Sequence, residues 1–156
     1  MHCIILDSIR SCYNVGAIFR TADAAGIDTI YLCGYTPAPI DRFGREVAEI
    51  KKTSLGASQT VSWVALSSVE EAITAVKQRG CTVVAVEQTK ESVSLYDFTP
   101  PACVAYIFGN EISGVSQDAL QAADVSLEIP MAGMKESLNV SVTVGVVVLH
   151  HPYGTY

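Results

Sequence analysis

No stretch of this 156-residue sequence reaches the roughly 18 consecutive apolar residues that a membrane-spanning helix requires. The opening MHCIILDS lacks the basic region of a signal peptide and runs straight into a strand-like segment, so neither a leader nor a membrane partner is expected. Cys3, Cys12, Cys33, Cys81 and Cys103 are odd in number and contain no CxxC pair. That argues against a disulfide framework and against a zinc site, and leaves reduced core thiols of a cytosolic protein as the expectation. His2, His150 and His151 have no catalytic context, and no metal site is expected. A basic excess is missing too: the net charge is −6, which weighs against a protein that coats nucleic acid by charge alone. The sequence also lacks GxxxxGK[ST] and lacks GxGxxG after a strand. Binding of a nucleoside triphosphate or a nicotinamide dinucleotide through its phosphates is therefore disfavoured.

What is present is the material for a core. Hydrophobic residues make up 49% and charged residues 17%, which excludes global disorder and suits one domain over residues 1–156, with no extension at either end. Strand-like segments are expected at Cys3–Asp7, Thr29–Cys33, Val61–Leu66, Thr82–Val86, Val104–Phe108 and Val125–Ile129. Helical spacing joins Val15, Ile18, Phe19 and Ala22, with Asn14 as the N-cap and Gly26 beyond the end. Further helices are expected at Glu46–Lys52, at Ser116–Ala123, and from Ser67 or Ser68 to Gly80, where Glu70 and Glu71 offer a capping box. Such alternation points to an α/β protein with a mostly parallel sheet and helices on both faces. Val140–Leu149 is ambiguous: its valines favour a strand, whereas Asn139 before it and Val140, Val144, Val147 and Val148 on one face favour a helix.

In open α/β sheets ligands bind beyond the carboxyl ends of the strands. Three segments here have that position: Glu87-Gln88-Thr89, the run beginning Gly109-Asn110-Glu111, and Pro130 to Leu138. Together they define a pocket of backbone groups and apolar side chains, suited to an adenosine-bearing ligand without phosphates. Residues 1–60 hold six basic groups against six acidic ones, so the acidic excess lies in the later part. The early part therefore remains able to face a phosphate backbone.

Three fragments, NVGAIFRTA (Asn14–Ala22), IFGNEISGVS (Ile107–Ser116) and IPMAGMKESLNVSV (Ile129–Val142), resemble the signature motifs of the TrmH-like RNA ribose methyltransferases of the SPOUT superfamily. The likeness runs from Ile4 to Leu149 in the right order and spacing. It implies a deep trefoil knot at the C-terminal end, a helix over the ambiguous last segment, a homodimer, and S-adenosylmethionine as methyl donor. It further implies that Thr89, Gly109, Ile129, Met131 and Leu138 hold the donor, and that Arg20, Asn14, Glu111, Ser137 and Asn139 form the active site. Arg20 would reach the other subunit's pocket, either as the base or as a clamp on phosphate and developing alkoxide. The motif GNEISG departs from relatives that carry a second glycine just after the glutamate. Arg42 and Arg45 of the loop DRFGR, with Lys51 and Lys52, are the candidate RNA contacts. The expectation is a ribose 2′-O-methyltransferase acting on RNA, tRNA ahead of rRNA, with a possible auxiliary RNA-binding partner. The competing readings are a non-catalytic protein of the same fold that binds donor or RNA, and an unrelated Rossmann-like enzyme.

Overall fold

The computed structural model describes residues 1–134 and 136–150; His151 of the HH pair lies outside them. Seven strands form one sheet: β1 (His2–Asp7), β2 (Thr29–Cys33), β3 (Ser62–Leu66), β4 (Thr82–Val86), β5 (Val93–Ser94), β6 (Val104–Phe108) and β7 (Val125–Glu128). Their spatial order is β3-β2-β1-β6-β4-β7-β5, and every neighbouring pair is parallel. The helices are α1 (Cys12–Ala25), α2 (Ala48–Ser54), α3 (Ala57–Thr60), α4 (Val69–Gln78), α5 (Gln117–Ala122) and α6 (Val140–His150).

The sheet is covered on both faces, which is why its central strands are apolar throughout rather than alternating. Ile4 and Leu6 point into a core shared with α1, α2, α3 and α6, while Cys3 and Ile5 point into one shared with α4 and α5. Phe19, Tyr106 and Phe108 are among the largest fully buried side chains of the first core. At about 25 cal/mol per Å² of apolar area, each such ring contributes roughly 2–3 kcal/mol.

Helix α1 begins earlier than the sequence pattern predicts. Ser11, not Asn14, is the N-cap: its backbone is extended and its hydroxyl accepts from the Asn14 N–H. Asn14 thus stands in the first turn with its side chain released for other work. Gly26 ends the helix in the left-handed conformation, φ 69°, as predicted. Ser68 opens α4, although its hydroxyl makes no capping bond there; Ser67 hydrogen-bonds Glu71 instead. Val140–His150 is a helix despite its valines, because Val140, Val144, Val147 and Val148 bury one face in the first core. The short elements α3 and β5 have no counterpart in the sequence expectation.

The cysteines require a correction. Cys81 and Cys103, expected as reduced thiols, form a disulfide. The parallel pairing of Thr82 with Val104 brings the preceding residues side by side, with their Cα atoms 4.5 Å apart. Their separation of 22 in sequence conceals this. Cys3 and Cys33 are buried free thiols, as expected.

Candidate active site

Strands β6, β4 and β7 are adjacent, so the loops leaving their carboxyl ends converge. Between them lies a cavity of about 420 Å³, within the range of small-molecule sites. Val86, Phe108, Leu127 and Ile129 form apolar wall where the strands end, and Met131 and Leu138 add to it from the long loop after β7. Gly109, Glu111, Ser137 and Asn139 also line it. Four glutamates are among its lining residues: Glu87, Glu111, Glu128 and Glu136. Apolar walls with carboxylates suit a cationic organic ligand and repel a phosphorylated one.

The loop after β6 is tightly closed. Asn110 and Gly114 exchange backbone hydrogen bonds of 3.0 and 2.9 Å. A Cβ at Gly109 would sit 2.0 Å from the Val115 nitrogen, so only glycine permits this closure. Gly114 has φ +72°, and a Cβ there would meet the Glu87 carboxylate at 2.3 Å. Glu87 accepts from the Val115 N–H at 3.0 Å and thereby ties the loop after β4 to the loop after β6.

Asn110 and Glu111 extend the ties toward β1 and β2. The Asn110 amide donates to the Ser8 carbonyl at 2.8 Å and to the Tyr35 hydroxyl at 2.9 Å. The Glu111 carboxylate accepts from the N–H groups of Arg10 (3.0 Å) and Ser11 (3.2 Å) and from the Asn14 amide (3.0 Å). The Asn14 carbonyl oxygen in turn accepts from the Asn139 amide at 3.2 Å. Asn139 completes the relay by capping α6, accepting from the Ser141 N–H at 2.9 Å. Each amide orientation in the series Glu111–Asn14–Asn139 is thus set by a neighbour. Burial pushes the Glu111 carboxyl up, but donors from Arg10, its own backbone N–H, Asn14 and Ser11 outweigh it and hold it below the ordinary glutamate range. At neutral pH the group is an ionised acceptor.

The remaining candidate residues lie elsewhere. Arg20 is exposed on α1, six residues beyond Asn14 and so about 9 Å along the axis, and it does not line the cavity. Thr89 also stands outside the lining; its hydroxyl lies 3.0 Å from that of Ser92 and its N–H donates there at 2.6 Å. Glu87 and Gln88, just before it, face the cavity instead. Glu87 and Glu136 fall within segments the sequence marked as ligand-binding, without a role assigned to either; Glu128, at the end of β7, lies outside those segments. Arg42 and Arg45 flank the Phe43 ring at 4.8 and 5.0 Å, Arg45 is paired with Asp41, and Lys51 is paired with Glu46. Lys52 is exposed on α2.

A wholly parallel sheet with a closed, glycine-dependent loop and an acidic cavity beyond its strand ends defines a ligand-binding α/β protein. The SpoU rRNA Methylase family profile matches residues 1–149, and the chain belongs to that family. Among curated relatives, it is 33% identical over 144 residues to the 23S rRNA (guanosine-2'-O-)-methyltransferase RlmB of Neisseria meningitidis, covering 92% of this chain and 55% of that protein. This chain spans about half the length of the first curated relatives it matches. Among solved structures, the AdoMet-bound rRNA methyltransferase of Sinorhizobium meliloti superposes with a TM-score of 0.82 at 28% identity, over 95% of this chain and 54% of that one. A structure concerning the 2-OH methylation of C/U34 on tRNA superposes with a TM-score of 0.81 at 27% identity, over 96% of this chain and 93% of that one. The resemblance to TrmH-like proteins holds, and so does the mostly parallel sheet that the alternation of elements predicted.

Proposed function

We propose that this chain is an S-adenosylmethionine-dependent methyltransferase that modifies the ribose 2′-OH of an RNA nucleotide. The observation that carries this reading is the Glu111–Asn14–Asn139 relay at the edge of an acidic, apolar cavity. The donor, when bound, supplies an electrophilic methyl on a sulfonium. Gly109, Ile129, Met131 and Leu138 would hold it, and the surrounding carboxylates complement its positive charge. The relay would orient the Asn14 and Asn139 amides toward the ribose, with Ser137 alongside. Such alignment contributes much of the rate for an already reactive donor.

Arg20 enters this reading from a second copy of the chain. An intact site needs a guanidinium that one protomer does not bring to its own cavity. The helix α6 leaves Val142, Val146 and Leu149 between 38 and 50% exposed, although its opposite face is buried. A helix apolar all round favours burial on both faces, which a homodimer would supply. A guanidinium keeps its proton to a pKa above about 12, so clamping the phosphate and the developing alkoxide is the role favoured for Arg20. The knotted path of the segment after β7, a single domain over residues 1–156 and a cytoplasmic location belong to the same reading.

Transfer RNA is preferred to ribosomal RNA as substrate. The superposition on a structure concerning 2-OH methylation of C/U34 on tRNA, over 96% of this chain, supports that preference. Arg42, Arg45, Lys51 and Lys52 are the RNA contacts in this reading. If they do not suffice, an auxiliary RNA-binding partner would complete the surface.

The test is transfer of labelled methyl from S-adenosylmethionine to size-separated total RNA by the wild type and by Arg20→Ala. The expected result is label in the tRNA fraction, recovered as a 2′-O-methylnucleoside and lost in the variant. Label confined to large RNA would overturn the tRNA preference. Donor binding with no labelled RNA, with and without cell extract, would favour a non-catalytic role.

A further inference from the structure

A tyrosine on a protein surface ordinarily buries its ring and leaves its hydroxyl in water. Tyr35 does the opposite. Its hydroxyl accepts from Asn110, which is only 7% exposed and lines the cavity, while Tyr35 itself is 63% exposed. The ring is thus pinned by its tip at the rim of the candidate active site with much of its surface in solvent. The same loop, between β2 and α2, carries a second such ring. Phe43 is 66% exposed, and the guanidiniums of Arg42 and Arg45 lie within 4.8 and 5.0 Å of its ring centre. Its turn is rigid: Asp41 accepts from the N–H groups of Phe43 and Arg45 at 2.8 and 2.9 Å, and the Asp41 N–H donates to the Arg45 carbonyl at 2.8 Å.

Two exposed aromatic rings on a hydrogen-bonded loop, the farther one with two arginines beside it, match what an unpaired RNA strand presents. Bases offer flat faces for stacking, and the phosphates between them offer negative charge. A preformed turn also loses little freedom on binding. We propose that this loop recognises single-stranded RNA: Tyr35 stacks on the base beside the target ribose, and Phe43 on a base farther along the strand, with Arg42 and Arg45 at the phosphates. The substrate class is then a nucleotide in an RNA loop rather than in a duplex. This rests on the reading of the chain as an RNA methyltransferase and adds to it how the RNA is chosen.

The test measures fluorescence anisotropy of a labelled unpaired RNA oligonucleotide, and of the same strand annealed into a duplex, with the wild-type dimer, Tyr35→Ala, Tyr35→Phe and Phe43→Ala. The expected result is tighter binding of the unpaired strand and a loss of roughly 5- to 150-fold in each alanine variant, the range for one base–aromatic stack. Tyr35→Phe keeps the ring and is expected to bind within a few-fold of wild type, with donor affinity by calorimetry unchanged throughout. Wild-type-like binding by both alanine variants, or a preference for duplex, would overturn the proposal. So would conversion of Tyr35→Ala to a monomer in sedimentation, since the ring would then belong to a subunit interface. Stacking-dependent binding without methyl transfer to any RNA would support the strand-recognition proposal while overturning the methyltransferase reading. Methyl transfer unaffected by either alanine variant would do the reverse.

Discussion

At the scale of single residues, Glu111 organises the site. Glu111→Gln would replace one acceptor oxygen by a donor facing N–H groups that already donate, so at least one bond is lost. Methyl transfer is expected to fall at least tenfold with donor affinity little changed, as a steady-state assay and calorimetry would read. The carboxyl's depressed pKa adds a sign-definite stability effect. Its hydrogen bonds contribute fully above the ordinary glutamate value of about 4.3, and that contribution is lost as pH falls through the lower folded value. The stability difference between wild type and Glu111→Gln in urea titrations should therefore shrink on acidification below that value. The thiols behave oppositely. Burial pushes Cys3 up to about 11 and Cys33 up to about 12, so both stay protonated at neutral pH. Iodoacetamide is expected to spare them in the native protein and to modify them only on unfolding, as peptide mass spectrometry would record.

At the scale of elements, NVGAIFRTA serves packing beside its proposed site residues. Gly16 lies where α1 presses on α2, and a Cβ there would come within 1.9 Å of the Thr53 hydroxyl and 2.7 Å of the Ile50 carbonyl oxygen. The hydroxyl could turn away; the backbone carbonyl could not without moving α2. Gly16→Ala is expected to destabilise by about 1–3 kcal/mol despite alanine's better helix propensity, as thermal or urea unfolding would show. A smaller cost, or a gain, would mean that the two helices separate easily. Helix α6 carries a related lesson. Its valines disfavour a helix locally, and burial of four of them in the core overrides that preference.

At the scale of the whole molecule, the question is how many chains make one site. If Arg20 acts across subunits, two inactive variants should complement each other. Arg20→Ala lacks the guanidinium but keeps the cavity. Gly109→Val, whose Cβ would press on the Val115 nitrogen, spoils the cavity but keeps the guanidinium. Mixed and allowed to exchange subunits, they are expected to recover activity that neither has alone. Absence of recovery, with mixed dimers verified by native mass spectrometry, would place Arg20 in its own protomer's chemistry or outside it.

Much of this protein was legible in the order of its residues. Apolar runs marked six of the seven strands; the central ones are buried on both faces and so leave continuous hydrophobic segments. The three motifs also marked Asn14, Glu111 and Asn139, which the fold brings into one hydrogen-bonded series. Other features depend on contacts that no local pattern encodes. The strand order sets the loops after β4, β6 and β7 side by side; the register of β4 on β6 pairs Cys81 with Cys103. Ser11 takes the cap from Asn14 while Glu111, 97 positions away, engages the asparagine side chain. The inverted exposure of Tyr35 arises the same way, from a buried asparagine 75 positions distant. Propensity and motif thus determined the elements and the chemical groups; long-range packing decided which of those groups meet, because a hydrogen bond forms only between atoms that the sheet brings within reach.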